Sequence, residues 1–209
     1  MTRKFTELAF TPSVKAAQQH YGTRSRNQNL ERSAVTFDQL TEREMGFIRG
    51  RDGFYQATVG ENGWPYVQFR GGPKGFLKAL DARTLAYADF RGNLQYISVG
   101  NVSADDRVSL ILMDYANRSR LKIWTRAKVV DASEDPRLIE SLKSPHYPAR
   151  IERAVVLNVE AFDWNCPQHI TPRFTEEEVS DLIEPLTARI AELEKETTAL
   201  KKQYASPAG

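Results

Sequence analysis

Residues 54–69 read FYQATVGENGWPYVQF, apolar and polar side chains alternating on both sides of Glu61-Asn62-Gly63. A period of two belongs to a half-buried strand, and Asn-Gly offers two residues that accept positive φ, so the stretch predicts a β-hairpin. Outward from it, residues 107–132, RVSLILMDYANRSRLKIWTRAKVVDA, predict a longer hairpin turning at Ala116-Asn117-Arg118-Ser119. FLKALDARTLAYADF, residues 76–90, predicts two strands about Asp81-Ala82-Arg83, and IERAVVLNVEAFDW, residues 151–164, is rich in β-branched residues and reads as a further strand. Six or seven strands joined by short turns make a mainly β chain, a small antiparallel barrel with short flanking helices.

The helices are fewer and shorter. The spacing of Phe37, Leu40, Met45, Phe47 and Ile48 predicts a helix over residues 36–49, capped by Thr36 or Asp38 and ending near Gly50. Residues 92–106, GNLQYISVGNVSADD, read as a short helix or an irregular loop, and residues 136–142 as a brief helix. Residues 1–35 are a polar arm with one helical stretch near 14–20, followed by the run GTRSRNQNLERS, residues 22–33, which has too few apolar residues to pack firmly. Thr175-x-x-Glu178 is a capping box that opens a C-terminal helix. In that helix Ile183, Leu186, Ile190, Leu193, Thr197, Leu200 and Tyr204 follow steps of three and four, an a/d seam, with Pro185 expected to kink it or to start a fresh helix. Such a seam fits the chain's own barrel or a second subunit. The expected organisation is an arm at 1–35, a barrel domain at 36–174 and a helical tail at 175–209.

Composition narrows the chemistry. With one cysteine in 209 residues, no intrachain disulfide framework exists. No run approaches the ~18 to 20 apolar residues of a membrane span, and the start, MTRKFTELAF, lacks an apolar signal region and a small-residue cleavage site. The expectation is a cytoplasmic protein. A formal charge of +2 from 29 Lys+Arg and 27 Asp+Glu points to neither nucleic acid nor a lipid surface, so any bound anion is recognised locally. His20, His146 and His169 are scattered, and Cys166 has no second cysteine, so no metal motif is expected. Cys166 stands three residues from His169, a spacing more often structural than a catalytic dyad, and no G-x-S-x-G elbow is present.

Phosphate-cradle motifs of the usual kind are also missing. Two strand ends carry polar groups instead. Residues 68–75, QFRGGPKG, combine positive charge with glycines that let an anion approach the backbone, and residues 90–101, FRGNLQYISVGN, add Arg, Asn, Gln and Ser. If these ends converge, Arg70, Lys74, Arg91 and Ser98 can hold a phosphate while Gln68, Asn93 and Gln95 hydrogen-bond a planar heterocycle. Gly-rich turns with arginines are common in β proteins, and chemistry alone does not decide for a ligand.

WPYVQFRGGPKGF (64–76), LAYADFRGNLQYISVGN (85–101) and DDRVSLILMDYANRSRLKIW (105–124), in this order, resemble the pyridoxamine 5'-phosphate oxidase-like family of FMN-binding split barrels, most closely its oxidase-like branch. The resemblance covers about residues 47–174. It implies a split barrel, a homodimer with FMN at the subunit interface, and oxidoreductase chemistry on a small molecule. It places Gln68 and Arg70 along the flavin, and Asn93, Gln95, Tyr96, Ser98 and Asn101 around phosphate and ribityl, with Arg91 and Lys74 as candidates for the phosphate. Trp164 and Arg173 match an outer Trp/Arg pair that meets the flavin. His169 sits nearly where relatives grip substrate, but the accompanying Arg is absent, which puts vitamin B6 phosphates in doubt as substrates. No residue need form a covalent intermediate, because a flavin itself accepts the hydride. Alternatives are a non-catalytic flavin carrier or redox sensor, or a barrel using a deazaflavin or haem, for which His169 is the candidate axial ligand.

Overall fold

The computed structural model describes residues 3–32, 39–145, 147–164 and 167–205. In chain order the elements are α1 (Arg3–Ala9), α2 (Pro12–His20), α3 (Arg24–Glu31), α4 (Glu42–Arg49), β1 (Gly53–Val59), β2 (Pro65–Gly71), β3 (Lys78–Ala79), β4 (Thr84–Phe90), α5 (Ile97–Ala104), β5 (Arg107–Asp114), β6 (Ser119–Asp131), α6 (Pro136–Leu142), β7 (Ile151–Trp164) and α7 (Glu176–Ala205).

All seven strands belong to one antiparallel sheet, ordered β2-β1-β5-β6-β7-β4-β3. In a flat sheet β1 and β4 would stand about 19 Å apart, four spacings of roughly 4.8 Å. Their side chains meet instead: the rings of Phe54 and Tyr87 lie 5.3 Å apart, and Tyr87 donates its hydroxyl to Gln56 Oε1 at 2.7 Å. The sheet therefore curls on itself, and because β2 and β3 are its two free ends the barrel is split. Phe54, Leu85, Leu110, Leu112, Leu121, Ile123 and Leu157, all buried, fill the interior from five strands.

The first hairpin forms where the alternation predicts it, with pairing from Gly53↔Gly71 to Val59↔Pro65. Its turn differs. Gly63 has φ 82°, but Asn62 does not join it at positive φ; Asn62 Oδ1 accepts from Trp64 N at 3.1 Å, and Gly60 N donates to Trp64 O at 3.0 Å. Asparagine thus closes a longer loop through its side chain. The second hairpin also forms as predicted, and residues 97–104 resolve the open choice in favour of a helix.

Thr36 and Asp38, the expected caps of α4, lie outside the described residues. The helix starts at Glu42 under Thr41, whose hydroxyl accepts from Arg43 N while the Glu44 carboxylate reaches back to Thr41 N at 3.0 Å. The polar arm also departs from expectation: three short helices form, and Phe5 and Phe10 are buried. Phe5 stacks on Trp124 at 4.8 Å. Two phenylalanines in an otherwise polar segment suffice to anchor α1, whereas α2 and α3 bury no residue.

Residues 115–117 and 171–205 form a unit of their own. Here the predicted capping box is present: Glu178 N donates to Thr175 Oγ1 at 3.2 Å and Thr175 N to Glu178 Oε2 at 2.8 Å. Pro185 neither ends α7 nor divides it into two helices, since one helix runs on to Ala205.

Candidate functional site

Closure of the barrel brings β2 against β4, which are separated in the sheet by four strands. Arg70 Nη1 donates to Asp89 Oδ1 at 2.6 Å, and Arg153 Nη1 donates to Asp89 Oδ2 at 2.8 Å. Asp89 is 4% exposed, so its charge is stabilised by two guanidiniums rather than by water. Asp89 pairs with Arg153 in the β4–β7 ladder, and the register then slips so that Phe90 pairs with Ile151. Successive residues of a regular strand face opposite ways. This bulge lets both Glu152 and Arg153 line the same cavity. Arg153 Nη2 also donates to Glu152 Oε2 at 3.0 Å, and its guanidinium lies 4.9 Å from the centre of the Tyr96 ring. Burial opposes the positive charge of Arg153, but the bond to Asp89 and the fields of Asp89 and Glu152 outweigh it and raise its pKa.

The cavity, of about 200 Å³, is walled by Tyr66, Gln68 and Arg70 of β2, the end of β4, the loop after it, and the first turn of α5. A second one, also about 200 Å³, adjoins it across Arg70 and Asp89 and takes in Phe69, Phe76, Arg91 and Tyr147. In the loop, Asn93 Nδ2 donates to Gln95 Oε1 and Gln95 N to Asn93 Oδ1, both at 3.2 Å. Leu94 and Tyr96 hold φ of 64° and 54°, a left-handed conformation that costs a non-glycine residue on the order of 1 kcal/mol or more and gathers at functional sites. Tyr96 is the residue before α5 and makes no side-chain bond to the helix. Ile97, Ser98 and Val99 therefore turn an uncapped helix start toward the cavity. In the first cavity Arg70 and Arg153 balance Asp89 and Glu152; the excess positive charge is that of Arg91, which lines the second cavity, has a side chain 48% exposed and holds its Nε 3.8 Å from Glu152 Oε1.

Of the residues singled out in the sequence, Gln68, Arg70, Asn93, Gln95, Tyr96 and Ser98 meet at the first cavity and Arg91 at the second. Ser98 Oγ donates to Gln68 Oε1 at 2.9 Å. Lys74 lines neither cavity. Asn101 donates its amide to Thr58 Oγ1 at 3.0 Å, so it braces α5 on β1 rather than facing the cavity. Trp164 is held elsewhere: its Nε1 donates to Glu44 Oε1 at 2.6 Å, and its ring packs edge-on against Phe47 and under Arg43. The Arg173 guanidinium stands 5.0 Å from the Tyr115 ring within the tail unit. His169 is exposed, with φ 62°, and lines neither cavity, while Cys166 and His146 lie outside the described residues. Among the described residues no cluster of His, Cys, Asp and Glu is arranged for a metal, and no helix is long and apolar enough to cross a membrane.

Asp89, Glu152 and Arg153 escaped the sequence reading. A signal for Asp89 was present, an acid inside the apolar run LAYADF, because a charge at a buried strand position needs a partner. Glu152 and Arg153 carried none, since the bulge that aims both inward leaves no mark in the residue pattern.

Among the solved structures that resemble the chain, three illustrate the likeness. A proposed pyridoxamine 5'-phosphate oxidase from Lactobacillus delbrueckii is 23% identical, with a TM-score of 0.47 over 60% of this chain and 94% of that one. The HupZ protein of Group A Streptococcus is 14% identical, with a TM-score of 0.49 over 65% and 99%. An FMN-binding protein from Syntrophomonas wolfei is 14% identical, with a TM-score of 0.46 over 60% and 88%. A search of curated proteins finds no match to the chain. The family model for pyridoxamine 5'-phosphate oxidase matches residues 40–165, which takes in every strand and the whole cleft. This chain therefore belongs to the pyridoxamine 5'-phosphate oxidase family.

Proposed function

We propose that the chain binds FMN in the cleft between β2, β4 and the start of α5, and acts as an oxidoreductase on a small molecule. The observation that carries the reading is the uncapped start of α5 facing a cavity in which two arginines balance two carboxylates, with a third arginine, Arg91, in the adjoining cavity. Free amides at a helix start and an arginine nearby suit a phosphate close to dianionic. The group also fits a second feature: Arg70 Nε is buried and has no hydrogen-bond partner. A buried donor left so costs free energy unless a ligand or water accepts from it, and the carbonyl and nitrogen edge of a flavin carries acceptors.

Bound there, FMN would supply hydride and electron transfer at its ring system. The protein's own groups bind and orient. The amides of Ile97, Ser98 and Val99, with Arg91, hold the phosphate. Gln68, fixed by Ser98, and the paired Asn93 and Gln95 present amides to the polar edges of the cofactor. Arg70, pinned by Asp89, contributes a fixed positive charge and its unused Nε–H. No nucleophile or acid/base residue is assigned.

Each cavity, at about 200 Å³, is smaller than the roughly 300 to 1,000 Å³ of ordinary ligand sites, which fits a cleft completed by a second subunit. Tyr55, Phe69 and Ile111 form an exposed apolar row across β2, β1 and β5, a surface suited to such a homodimer. Roles for Lys74, Asn101, Trp164, Arg173 and His169, and a cytoplasmic location, rest on the sequence reading alone. The test is the cofactor released from purified, denatured protein, identified by mass and by absorbance near ~450 nm. FMN is the expected result. Protein that stays colourless after incubation with FMN, or that releases a deazaflavin or haem, overturns the reading.

A further inference from the structure

The seam of α7 has the composition of one particular assembly. Over residues 183–200, Ile183, Ile190 and Thr197, all β-branched, occupy the a positions, and Leu186, Leu193 and Leu200 the d positions, before Tyr204 at the next a. The five aliphatic side chains among these are exposed along the helix. β-Branched residues at a with leucine at d favour parallel pairs over higher oligomers. The polar member, Thr197, donates its hydroxyl to Leu193 O of its own helix at 2.7 Å, so no unsatisfied group enters the seam. Pro185 falls at a c position, off the seam, where it costs one backbone bond without obstructing contact.

Charge fixes orientation. In a parallel pair each g residue faces the e residue five places on in the other helix. Here that sets Arg189 opposite Glu194 and Glu196 opposite Lys201, unlike charges at both levels and on both sides. An antiparallel pair on the same core keeps only Arg189 opposite Glu196, and leaves Glu194 and Lys201 facing Thr187 and Ser180. Arg189 already binds Glu192 of its own helix, yet a guanidinium has donors for both acids. A helix destined for a barrel surface requires neither the β-branched/leucine division nor this charge order. We propose that α7 pairs with α7 of a second copy of this chain as a parallel, in-register, two-stranded coiled coil. The seam spans only about three heptads, so the pair gains from any other contact that holds the two copies together.

The test uses the full chain in a Cys166→Ser background, oxidised with diamide, with or without FMN. In a parallel pair the two copies of residue 200 face each other within disulfide reach. Leu200→Cys should give covalent dimer roughly tenfold faster than Lys195→Cys, whose residue lies on the outer face. Equal rates overturn the proposal, as does cross-linking found only in a mixture of Ile183→Cys and Leu200→Cys chains, the antiparallel outcome. Within the Leu200→Cys protein, Glu196→Lys should slow cross-linking and a further Lys201→Glu should restore it. Failure of that restoration also overturns it. None of these readouts depends on the flavin.

Discussion

Ser98 donates its hydroxyl to Gln68 Oε1 over 2.9 Å, and this bond ties the first turn of α5 to strand β2. It links the helix start proposed to hold the phosphate with the strand proposed to lie along the ring. Ser98→Ala should weaken FMN binding about fivefold, the equivalent of one neutral hydrogen bond of ~1 kcal/mol. Titration of flavin fluorescence measures it. If the two residues act through each other, adding Gln68→Ala should cost less than the sum of the single changes.

Arg91 and Asp89 should separate binding from stability. Arg91 is half-exposed in the second cavity, so Arg91→Ala is expected to weaken FMN about tenfold with an unchanged melting temperature. Asp89→Asn leaves Arg70 and Arg153 sharing a neutral acceptor. Its stability in urea should fall by about 3 kcal/mol, while inorganic phosphate binds more tightly because the cleft gains positive charge. Equal effects of both substitutions on stability would remove this distinction.

Tyr87 and Gln56 hold the closure of the barrel. Both are buried, and burial pushes the Tyr87 hydroxyl pKa well up, so it stays a neutral donor to Gln56. Tyr87→Phe leaves the Gln56 oxygen without its donor and should cost about 1 to 2 kcal/mol in chemical denaturation. Adding Gln56→Leu should recover part of that loss, since both polar groups are then gone.

Glu44 gives a pH dependence. Burial raises the pKa of its carboxyl, but bonds from Thr41 and Trp164 outweigh this and hold it below the usual glutamate value. A carboxylate with a depressed folded pKa stabilises the fold above its unfolded pKa, and that contribution is lost as pH falls through the folded one. Glu44→Gln should therefore be less stable than the parent at pH 7, with the gap closing as the pH drops below about 4. Melting curves from pH 7 to 3 check it; a gap constant with pH would assign Glu44 a packing role only.

Strands were legible because their signal is local. The alternation in 54–69 and 107–132 and the turn residues between strands located both hairpins. Residue types at the two strand ends identified Gln68, Arg70, Asn93, Gln95 and Ser98 as a group, and the structure brings them together. Lys74 and Asn101 carried the same signal without reaching the cavity, because direction depends on the turn of α5 and on the loop after β2. The packed α1 was not foreseen, since whether Phe5 finds Trp124 is a contact across more than a hundred residues.

Strand positions, the capping box of α7 and its heptad charges were determined by the sequence itself, because backbone propensity, side-chain period and neighbour charge act within a few residues. Curling of the sheet, the bulge that aims Glu152 and Arg153 together, and the burial of Asp89 between two arginines were decided by tertiary structure alone. These depend on which strands become neighbours once the sheet closes, and only that closure brings β2 and β4 within hydrogen-bonding distance.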